Sequence, residues 1–419
     1  MLDNIKSKMI LNDLFQLLET KLKLKIVKYN KKLQDKLNIK IDDFIYFKLI
    51  KDFNIKYNSH IKNVDIMELN LDNLDIKNSG LSHLSKIKFN KLKELILSNN
   101  NIGKIDKIIP SYFNFNNLVK LSFEQNHIRD LTILTKADFQ KLKILNLDHN
   151  ALTDIKILSE MKLPELESLI LSGNTIKDLE PLSLMNLDNL KKLILNRNMI
   201  KNIEVLEKVK MDNLEILDLC VNMIEDIKVL EKVKFPNLKC IDLYFNKIKD
   251  ISALENVKFE KLEKLRLSEN DIENISILEK CNFKKLKELY LKETNKNSGI
   301  SEISLFNNFQ NLEILDLSQC YLTDIVNISE KKICDKHDNL KTLDLSSNKL
   351  ENIDILKTLN LTELKELNLE NNMISDISVF KEIKFPNLKK LYIDYNQIDK
   401  DENSEIITYL KNRISDFKF

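Results

Sequence analysis

Apolar and polar positions alternate along this chain in a pattern that returns at a fixed interval. Residues 214–237 and 238–261 are two copies of one 24-residue unit that opens with L-x-x-[LI]-x-L-x-x-N. The matching residues are Leu214, Leu217, Leu219 and Asn222 in the first copy and Leu238, Ile241, Leu243 and Asn246 in the second. This alternation predicts a short strand whose positions four and six face inward, while positions three, five and seven face outward. A fixed period of this size indicates a stacked repeat array.

The unit recurs over most of the chain. Its first positions are Ile66, Leu92, Leu118, Leu142, Leu166, Leu190, Leu214, Leu238, Leu262, Leu286, Leu312, Leu340, Leu364 and Leu388. They predict about fourteen parallel strands about 4.8 Å apart, so that equivalent leucines stack into one core. Position nine is usually Asn, whose amide can bond backbone groups left unpaired where the chain leaves the strand. Thr294 and Cys320 replace this Asn in two consecutive repeats, which predicts a local irregularity over residues 294–339.

A second polar position follows four residues after the Asn. Ten repeats have Asp or Asn there: Asp130, Asp154, Asp178, Asn202, Asp226, Asp250, Asn274, Asp324, Asn352 and Asp376. In most of these repeats a short I-x-x-L segment follows, so this residue is predicted to cap the N-terminus of a brief helix. Asp and Asn both supply the acceptor oxygen of a cap, so capping explains their interchange better than a ladder of metal ligands does.

The two ends of the chain depart from the repeat. Helical spacing of apolar residues predicts two helices early in residues 1–60, and the run 39–55 predicts a short strand pair or irregular packing. We expect 1–60 to be a helical N-terminal cap, 61–400 to be the array, and 401–419 to be a capping helix, because a solenoid needs its ends covered. The apolar residues predicted to share one face of the capping helix are Ile406, Ile407, Leu410, Ile414 and Phe417.

The repeat residues resemble the leucine-rich repeat superfamily. Within it, the array is similar to the short-helix class that includes the regulatory leucine-rich subunit of protein phosphatase one and the bacterial internalins, whose units are shorter than 24 residues. The resemblance implies an α/β solenoid, a curved array whose parallel strands line the concave face. It also implies that a partner protein binds on that face, with no cofactor and no catalytic role.

Residues 9–37 have a second resemblance. Their apolar positions, which include Ile10, Leu14 and Leu18, resemble an F-box, the helical module that docks a substrate receptor onto a ubiquitin ligase. Two hypotheses therefore follow for the whole chain. It is either a non-enzymatic protein-interaction scaffold, or a substrate receptor that binds a ubiquitin-ligase adaptor through residues 9–37.

Composition and charge limit the classes of partner and the cellular compartment that we expect. The net charge of +2 argues against a general nucleic-acid binder, which carries a clear basic excess. No stretch approaches the ~20 apolar residues of a membrane span, and the N-terminus is a poor signal peptide. Five scattered cysteines without a C-x-x-C pair indicate free thiols in a reducing compartment, so we expect a cytoplasmic protein. The same features disfavour a secreted adhesin.

Catalytic and metal-binding motifs are missing from the sequence. It contains no phosphate-binding G-x-x-x-x-G-K-[ST], no G-x-S-x-G and no H-E-x-x-H. His127 and His149 come from adjacent repeats and could approach each other, but exposed polar positions explain them more simply. We therefore predict no enzyme activity and no metal site.

The outward positions between Leu166 and Leu286 are unusually rich in large apolar and aromatic residues. Core packing does not require them, and two of the four arginines lie among them. Exposed aromatic residues clustered with arginine are typical of interface hot spots. The predicted partner-binding residues are Ile170, Ile194, Arg197, Ile216, Val221, Tyr244, Phe245, Arg266 and Tyr290.

Overall fold

The protein is described from a computed structural model. The described residues are 32, 35, 41–106, 115–294, 309–323, 339–358, 361–383 and 385–419. The chain divides into two compact units, Met1–Leu142 and Lys143–Phe419. Both contain short parallel strands joined by brief helical or irregular segments, which confirms the predicted α/β solenoid. None of the described helices is both long enough and apolar enough to cross a membrane.

The first unit contains two helices and three strands among its described residues. They are α1 (Ile41–Tyr57), β1 (Glu68–Asn70), α2 (Lys77–Leu84), β2 (Glu94–Ile96) and β3 (Lys120–Ser122), with 3-10 helices at Phe115–Asn117 and Thr132–Lys136. The strands pair in parallel, with Leu69 opposite Leu95 and Leu95 opposite Leu121. The central leucine of each strand is therefore in register with the next.

Helix α1 corrects one prediction. The run 39–55 was expected to form a strand pair or irregular packing, but a helix covers most of it and continues to Tyr57. Ile50, Phe53 and Tyr57 are buried, and their spacing of three and four residues puts them on one side of a helix. The Phe53 and Tyr57 rings also pack together, with centroids 4.6 Å apart. The F-box-like run 9–37 lies outside the described residues, apart from positions 32 and 35.

The second unit contains twelve strands among its described residues, in chain order. They are β4 (Ile144–Asn146), β5 (Ser168–Ile170), β6 (Lys192–Ile194), β7 (Ile216–Asp218), β8 (Cys240–Asp242), β9 (Lys264–Arg266), β10 (Glu288–Tyr290), β11 (Ile314–Asp316), β12 (Thr342–Asp344), β13 (Glu366–Asn368), β14 (Lys390–Tyr392) and β15 (Asp416–Lys418). The connections contain 3-10 helices at Lys156–Glu160, Glu180–Leu184, Glu204–Glu207, Lys228–Glu231, Ser252–Glu255, Ser276–Lys280 and Asp354–Thr358, and helices α3 (Val379–Glu382) and α4 (Ser404–Arg413).

The leucine rows form the core, as predicted. Leu217 and Leu243, which occupy positions four and six, have no exposed surface. The longer repeats do not disturb the strands, since Leu315 of β11 is in register with Leu289 on one side and Leu343 on the other. The predicted irregularity over 294–339 therefore does not reach β11, and most of the remaining range lies outside the described residues.

The C-terminal segment is more than the predicted capping helix. Ile406, Ile407 and Leu410 are buried in α4, but the chain then becomes extended and forms a fifteenth described strand, β15. Phe417 in β15 is opposite Leu391 in β14, so it continues the leucine row with a larger side chain. The prediction that Phe417 belongs to the helix was wrong, because pairing with β14 satisfies backbone groups that a longer helix would leave unpaired on the strand.

Asparagine at position nine joins each repeat to the one before it. The side-chain amide of Asn222 donates to the carbonyl oxygens of Leu195, Leu219 and Cys220 at 3.0–3.2 Å. Its Oδ1 accepts the backbone N–H of Ile200 at 3.1 Å. Where Cys320 replaces the Asn, its Sγ donates to the carbonyl of an earlier repeat at 3.0 Å, so the ladder continues in weaker form. This confirms the predicted role of the position.

The Asp or Asn four residues later accepts a hydrogen bond from the first residue of the following helical segment. Asp154 Oδ1 accepts the Lys156 N–H at 2.7 Å, and Asn202 Oδ1 accepts the Glu204 N–H at the same distance. This explains why Asp and Asn interchange. The segment that follows is usually a 3-10 helix, and the capping residue stands one position earlier than an α-helical N-cap would.

Candidate protein-binding surface

The side chains at positions three, five and seven of the repeats that contain β5 to β12 form one surface, which we call the sheet face. Ile170 and Ile194 lie opposite each other at position five of β5 and β6. Ile216 occupies position three of β7, opposite Cys240, and so lies in a different row. These side chains are half-buried, because neighbours 24 residues away in both directions flank each of them.

Arginine and two tyrosines meet at the centre of the sheet face. The Arg266 guanidinium lies 5.4 Å from the ring centroid of Tyr244 and 5.3 Å from that of Tyr290. We call these three residues the tyrosine–arginine cluster. Arg266 also forms an ion pair with Asp242, at 2.9 Å between Nη1 and Oδ2. Two ring contacts and an ion pair together restrict the guanidinium, and each cation–π contact contributes about 0.5–1 kcal/mol at an exposed site.

Acidic residues fix the two tyrosines. The Tyr244 hydroxyl donates to Glu269 Oε1 at 2.9 Å, and the Tyr290 hydroxyl donates to Glu288 Oε2 at 3.0 Å. Burial, together with the hydrogen bond to Glu288, raises the pKa of Tyr290 to about 12, so the ring stays neutral. Lys264 pairs with Glu288 at 2.6 Å. The cluster is therefore pre-organised, which lowers the entropy lost when a partner binds.

Three of the predicted residues stand at position eight, where the backbone turns away from the strand. Arg197, Val221 and Phe245 have φ values of +55°, +53° and +52°. Their backbone N–H groups donate to the next repeat, as Phe245 does to Ser268 at 2.9 Å. Phe245 is half-exposed at 50%, and its ring centroid lies 6.0 Å from that of Tyr244. The sequence pattern carried no sign of this left-handed turn, since position eight accepts almost any residue type.

Carboxylates flank the tyrosine–arginine cluster. Asp218 of β7 is the Cα partner of Asp242 of β8, and Asp316 of β11 is the Cα partner of Asp344 of β12. Burial raises the pKa of Asp218 and of Asp316, and the charge of the opposite aspartate adds to the shift. Both pairs occupy position five of consecutive repeats, which is the sequence signal that could have identified them.

The geometry does not favour a metal at the sheet face. Asp218, Cys220 and Asp242 each place one ligand atom within 4.8 Å of the others. However, the Asp242 oxygens already bind Arg266 and the Tyr244 N–H, and burial raises the pKa of the Cys220 thiol well above its usual range. A metal would have to displace these bonds and deprotonate that thiol. His149, one of the two histidines considered as metal ligands from the sequence, already contacts Asp148, at 2.6 Å between Nδ1 and Oδ1.

Family models match five ranges of the chain, two of which overlap. The model "Leucine rich repeat" matches residues 140–200, "Leucine Rich repeats (2 copies)" matches 212–256, 338–382 and 362–406, and "Leucine Rich Repeat" matches 91–115. The chain is a leucine-rich repeat protein. No curated protein matches its sequence.

Solved structures show the same fold. An internalin (InlF) of Listeria monocytogenes is 23% identical, with a TM-score of 0.63 over 81% of this chain and 88% of the other. The LRIM1/APL1C complex gives 20% identity and a TM-score of 0.59 over 87% of this chain and 62% of the other. The complex of TLR13 with a single-stranded RNA gives 19% and 0.59, over 96% and 59%. At these identities the similarity shows the fold alone.

A charge ladder of this leucine-rich repeat protein escaped the sequence analysis. From Lys143 to Lys341, position two alternates between Lys and Glu from one repeat to the next, and neighbouring members pair. The ion pairs are Lys143–Glu167 (2.6 Å), Lys191–Glu167 (2.7 Å), Lys239–Glu215 (3.0 Å), Lys287–Glu263 (2.8 Å) and Lys341–Glu313 (2.6 Å). The signal was a 48-residue alternation, twice the repeat length. Pairs this exposed contribute between 0 and about 1 kcal/mol each, so the ladder mainly favours the correct register of neighbouring repeats.

Proposed function

We propose that this leucine-rich repeat protein is a non-enzymatic scaffold that binds another protein on the sheet face, from β5 to β10. One observation carries the proposal: the half-exposed Phe245 lies beside a tyrosine–arginine cluster that contacts within the chain already hold in place. Aromatic residues and arginine dominate interface hot spots, and rigid side chains lose little entropy on binding.

Family and surface chemistry both favour a protein partner. Leucine-rich repeat proteins are commonly non-enzymatic interaction scaffolds, and one similar structure is a complex of two proteins. Another neighbour binds RNA, but the aspartates of the sheet face would repel a phosphate backbone. Nucleic acid is therefore not the partner that we propose.

The test combines a double substitution with a matched control. Tyr244→Ala with Phe245→Ala should weaken partner binding by a few kcal/mol, measured by titration calorimetry after the partner has been found by cross-linking in cells. Tyr395→Ala is the control, because Tyr395 is an exposed aromatic residue at the same turn position with φ +54°. If the control loses affinity while the double variant does not, the site lies near Tyr321, Tyr392 and Tyr395 instead.

Two further proposals come from the sequence. The resemblance of residues 9–37 to an F-box supports docking onto a ubiquitin-ligase adaptor, which co-purification with Leu14→Glu as the negative control would test. We also propose a reducing, cytoplasmic environment. Cys220, Cys240 and Cys281 are free thiols, which supports that compartment.

A further inference from the structure

Five carboxylates and two cations occupy positions three and five of strands β7 to β12. The carboxylates are Asp218, Asp242, Glu288, Asp316 and Asp344, and the cations are Lys264 and Arg266. Both cations are already used, since Arg266 pairs with Asp242 and Lys264 pairs with Glu288. Among the described residues, Asp218, Asp316 and Asp344 have no cation within ion-pair distance. Lys192 and Lys292 also belong to the sheet face, which therefore carries four cations and five carboxylates, a net charge of −1. Lys292 partly offsets the charge of Asp316 without forming an ion pair with it. Three carboxylates of the sheet face thus remain without an ion pair.

Strand register makes this charge unfavourable in the free protein. Like charges directly opposite on neighbouring strands destabilise a sheet, and both aspartate pairs are Cα partners. The oxygens are only partly satisfied by local backbone groups. Asp218 Oδ1 accepts the Cys220 N–H at 3.0 Å, and Asp316 Oδ1 accepts the N–H and the hydroxyl of Ser318 at 3.0 and 2.7 Å. Asp344 accepts the Ser346 N–H at 2.9 Å and the side-chain amide of Asn368 at 3.1 Å, and neither of these donors is charged. A cation supplied by a partner would reduce this repulsion. The aspartates therefore destabilise the free protein slightly and stabilise its complex with a cationic partner.

The spacing of the two acidic positions sets the spacing of the cations. Asp218 lies on β7, and the Asp316–Asp344 pair lies on β11 and β12. That is four to five strand spacings of about 4.8 Å, or roughly 20 Å. An extended segment covers this distance with about six residues, at ~3.3 Å per residue. The tyrosine–arginine cluster lies between the two positions.

We propose that the partner presents two basic side chains about 20 Å apart, one to Asp218 and one to the Asp316–Asp344 pair, with an apolar or aromatic side chain between them. This proposal rests on the proposed function, since it requires that the sheet face bind a protein. Arginine suits the Asp316–Asp344 pair better than lysine does, because its planar group can bond two carboxylates at once.

The test starts from a random 14-residue peptide library displayed on its own mRNA and selected against the full-length protein. The consensus peptide is then synthesised, and its affinity is measured by fluorescence anisotropy. We expect two basic residues about six positions apart. Asp218→Asn, and Asp316→Asn with Asp344→Asn, should each weaken binding about three- to tenfold. Asparagine keeps the local acceptor oxygen in each case. Asp212→Asn removes the same charge from an exposed position outside the strands and should change nothing.

The possible outcomes separate the two proposals. If Tyr244→Ala with Phe245→Ala abolishes peptide binding but the aspartate variants bind normally, the sheet face binds a partner and the basic partner is wrong. If peptides are selected whose binding neither set of variants changes, or no peptide is enriched, both proposals are contradicted. If Asp212→Asn weakens peptide binding as much as the sheet-face variants do, affinity depends only on the net charge of the protein. That result would also overturn the proposal.

Discussion

Replacing Asn222 by Ala should lower the free energy of unfolding more than replacing an asparagine whose side chain makes one exposed hydrogen bond. Asn222 is 7% exposed, and its side chain takes part in four hydrogen bonds, two of which connect it to the preceding repeat. Without it, the buried N–H of Ile200 has lost its acceptor and the Leu195 carbonyl has lost a donor. The Leu195 carbonyl still accepts the side-chain amide of Asn198 at 2.9 Å, so only the Ile200 N–H is left unsatisfied. An unsatisfied buried polar group costs about 1–3 kcal/mol, which is the expected loss.

Asn213 provides the matched control. Its amide also donates to a carbonyl of the preceding repeat, that of Asp188, at 2.8 Å, but the bond is exposed. Water replaces the lost partner there, so Asn213→Ala should cost no more than about 1 kcal/mol. Urea denaturation followed by circular dichroism measures both losses. Hydrogen exchange at the Ile200 amide measures the local effect, because a repeat array can open without unfolding completely.

The result that would refute the reasoning is equal destabilisation by the two substitutions. It would mean that the buried hydrogen bonds of Asn222 contribute no more to stability than the exposed one of Asn213, or that water enters the site of Asn222. Unchanged exchange at Ile200 in Asn222→Ala would lead to the same conclusion.

Three other substitutions test local features of the second unit. Val221→Asn should raise stability by about 1 kcal/mol, since φ is +53° and Asn tolerates left-handed backbone better than a β-branched residue; a lower urea midpoint would contradict this. Gly173→Ala should lower stability by about 1–3 kcal/mol, because φ is +60° and a Cβ would lie 2.7 Å from the His149 ring. Adding His149→Ala should recover part of that loss in a double-mutant cycle, and full additivity would exclude the clash. Asp218→Asn should stabilise the protein at pH 7, because burial and the charge of Asp242 raise the folded-state pKa of Asp218, so ionisation favours the unfolded chain. The gain should disappear below about pH 4, where the carboxyl is protonated in both states, and a gain that persists there in urea titrations would rule out this cause.

The sequence alone was sufficient for the repeat, its strands and the stacked leucine rows. Those features depend on positions within one unit, and repetition makes the same local signal visible many times. Asn222 and Asp154 could be assigned correctly for the same reason, since each bonds backbone groups of a turn in its own unit. Helix α1 and strand β15 were missed because neither belongs to a repeat, and each depends on what packs beside it.

The sequence predicted the residues of the candidate site but not the contacts between them. Composition pointed to Tyr244, Arg266 and Tyr290 as unusual outward residues, but it could not show that their side chains contact one another. That contact joins residues about 24 positions apart, and it depends on strand register and on the direction each side chain takes. The repeat starts Leu312 and Leu340 already put Asp316 and Asp344 at position five of consecutive repeats, and the structure shows that the two residues are Cα partners. The periodic pattern determined which residues face outward, whereas the tertiary structure decided which of them meet, because pairing across strands is a property of the assembled sheet.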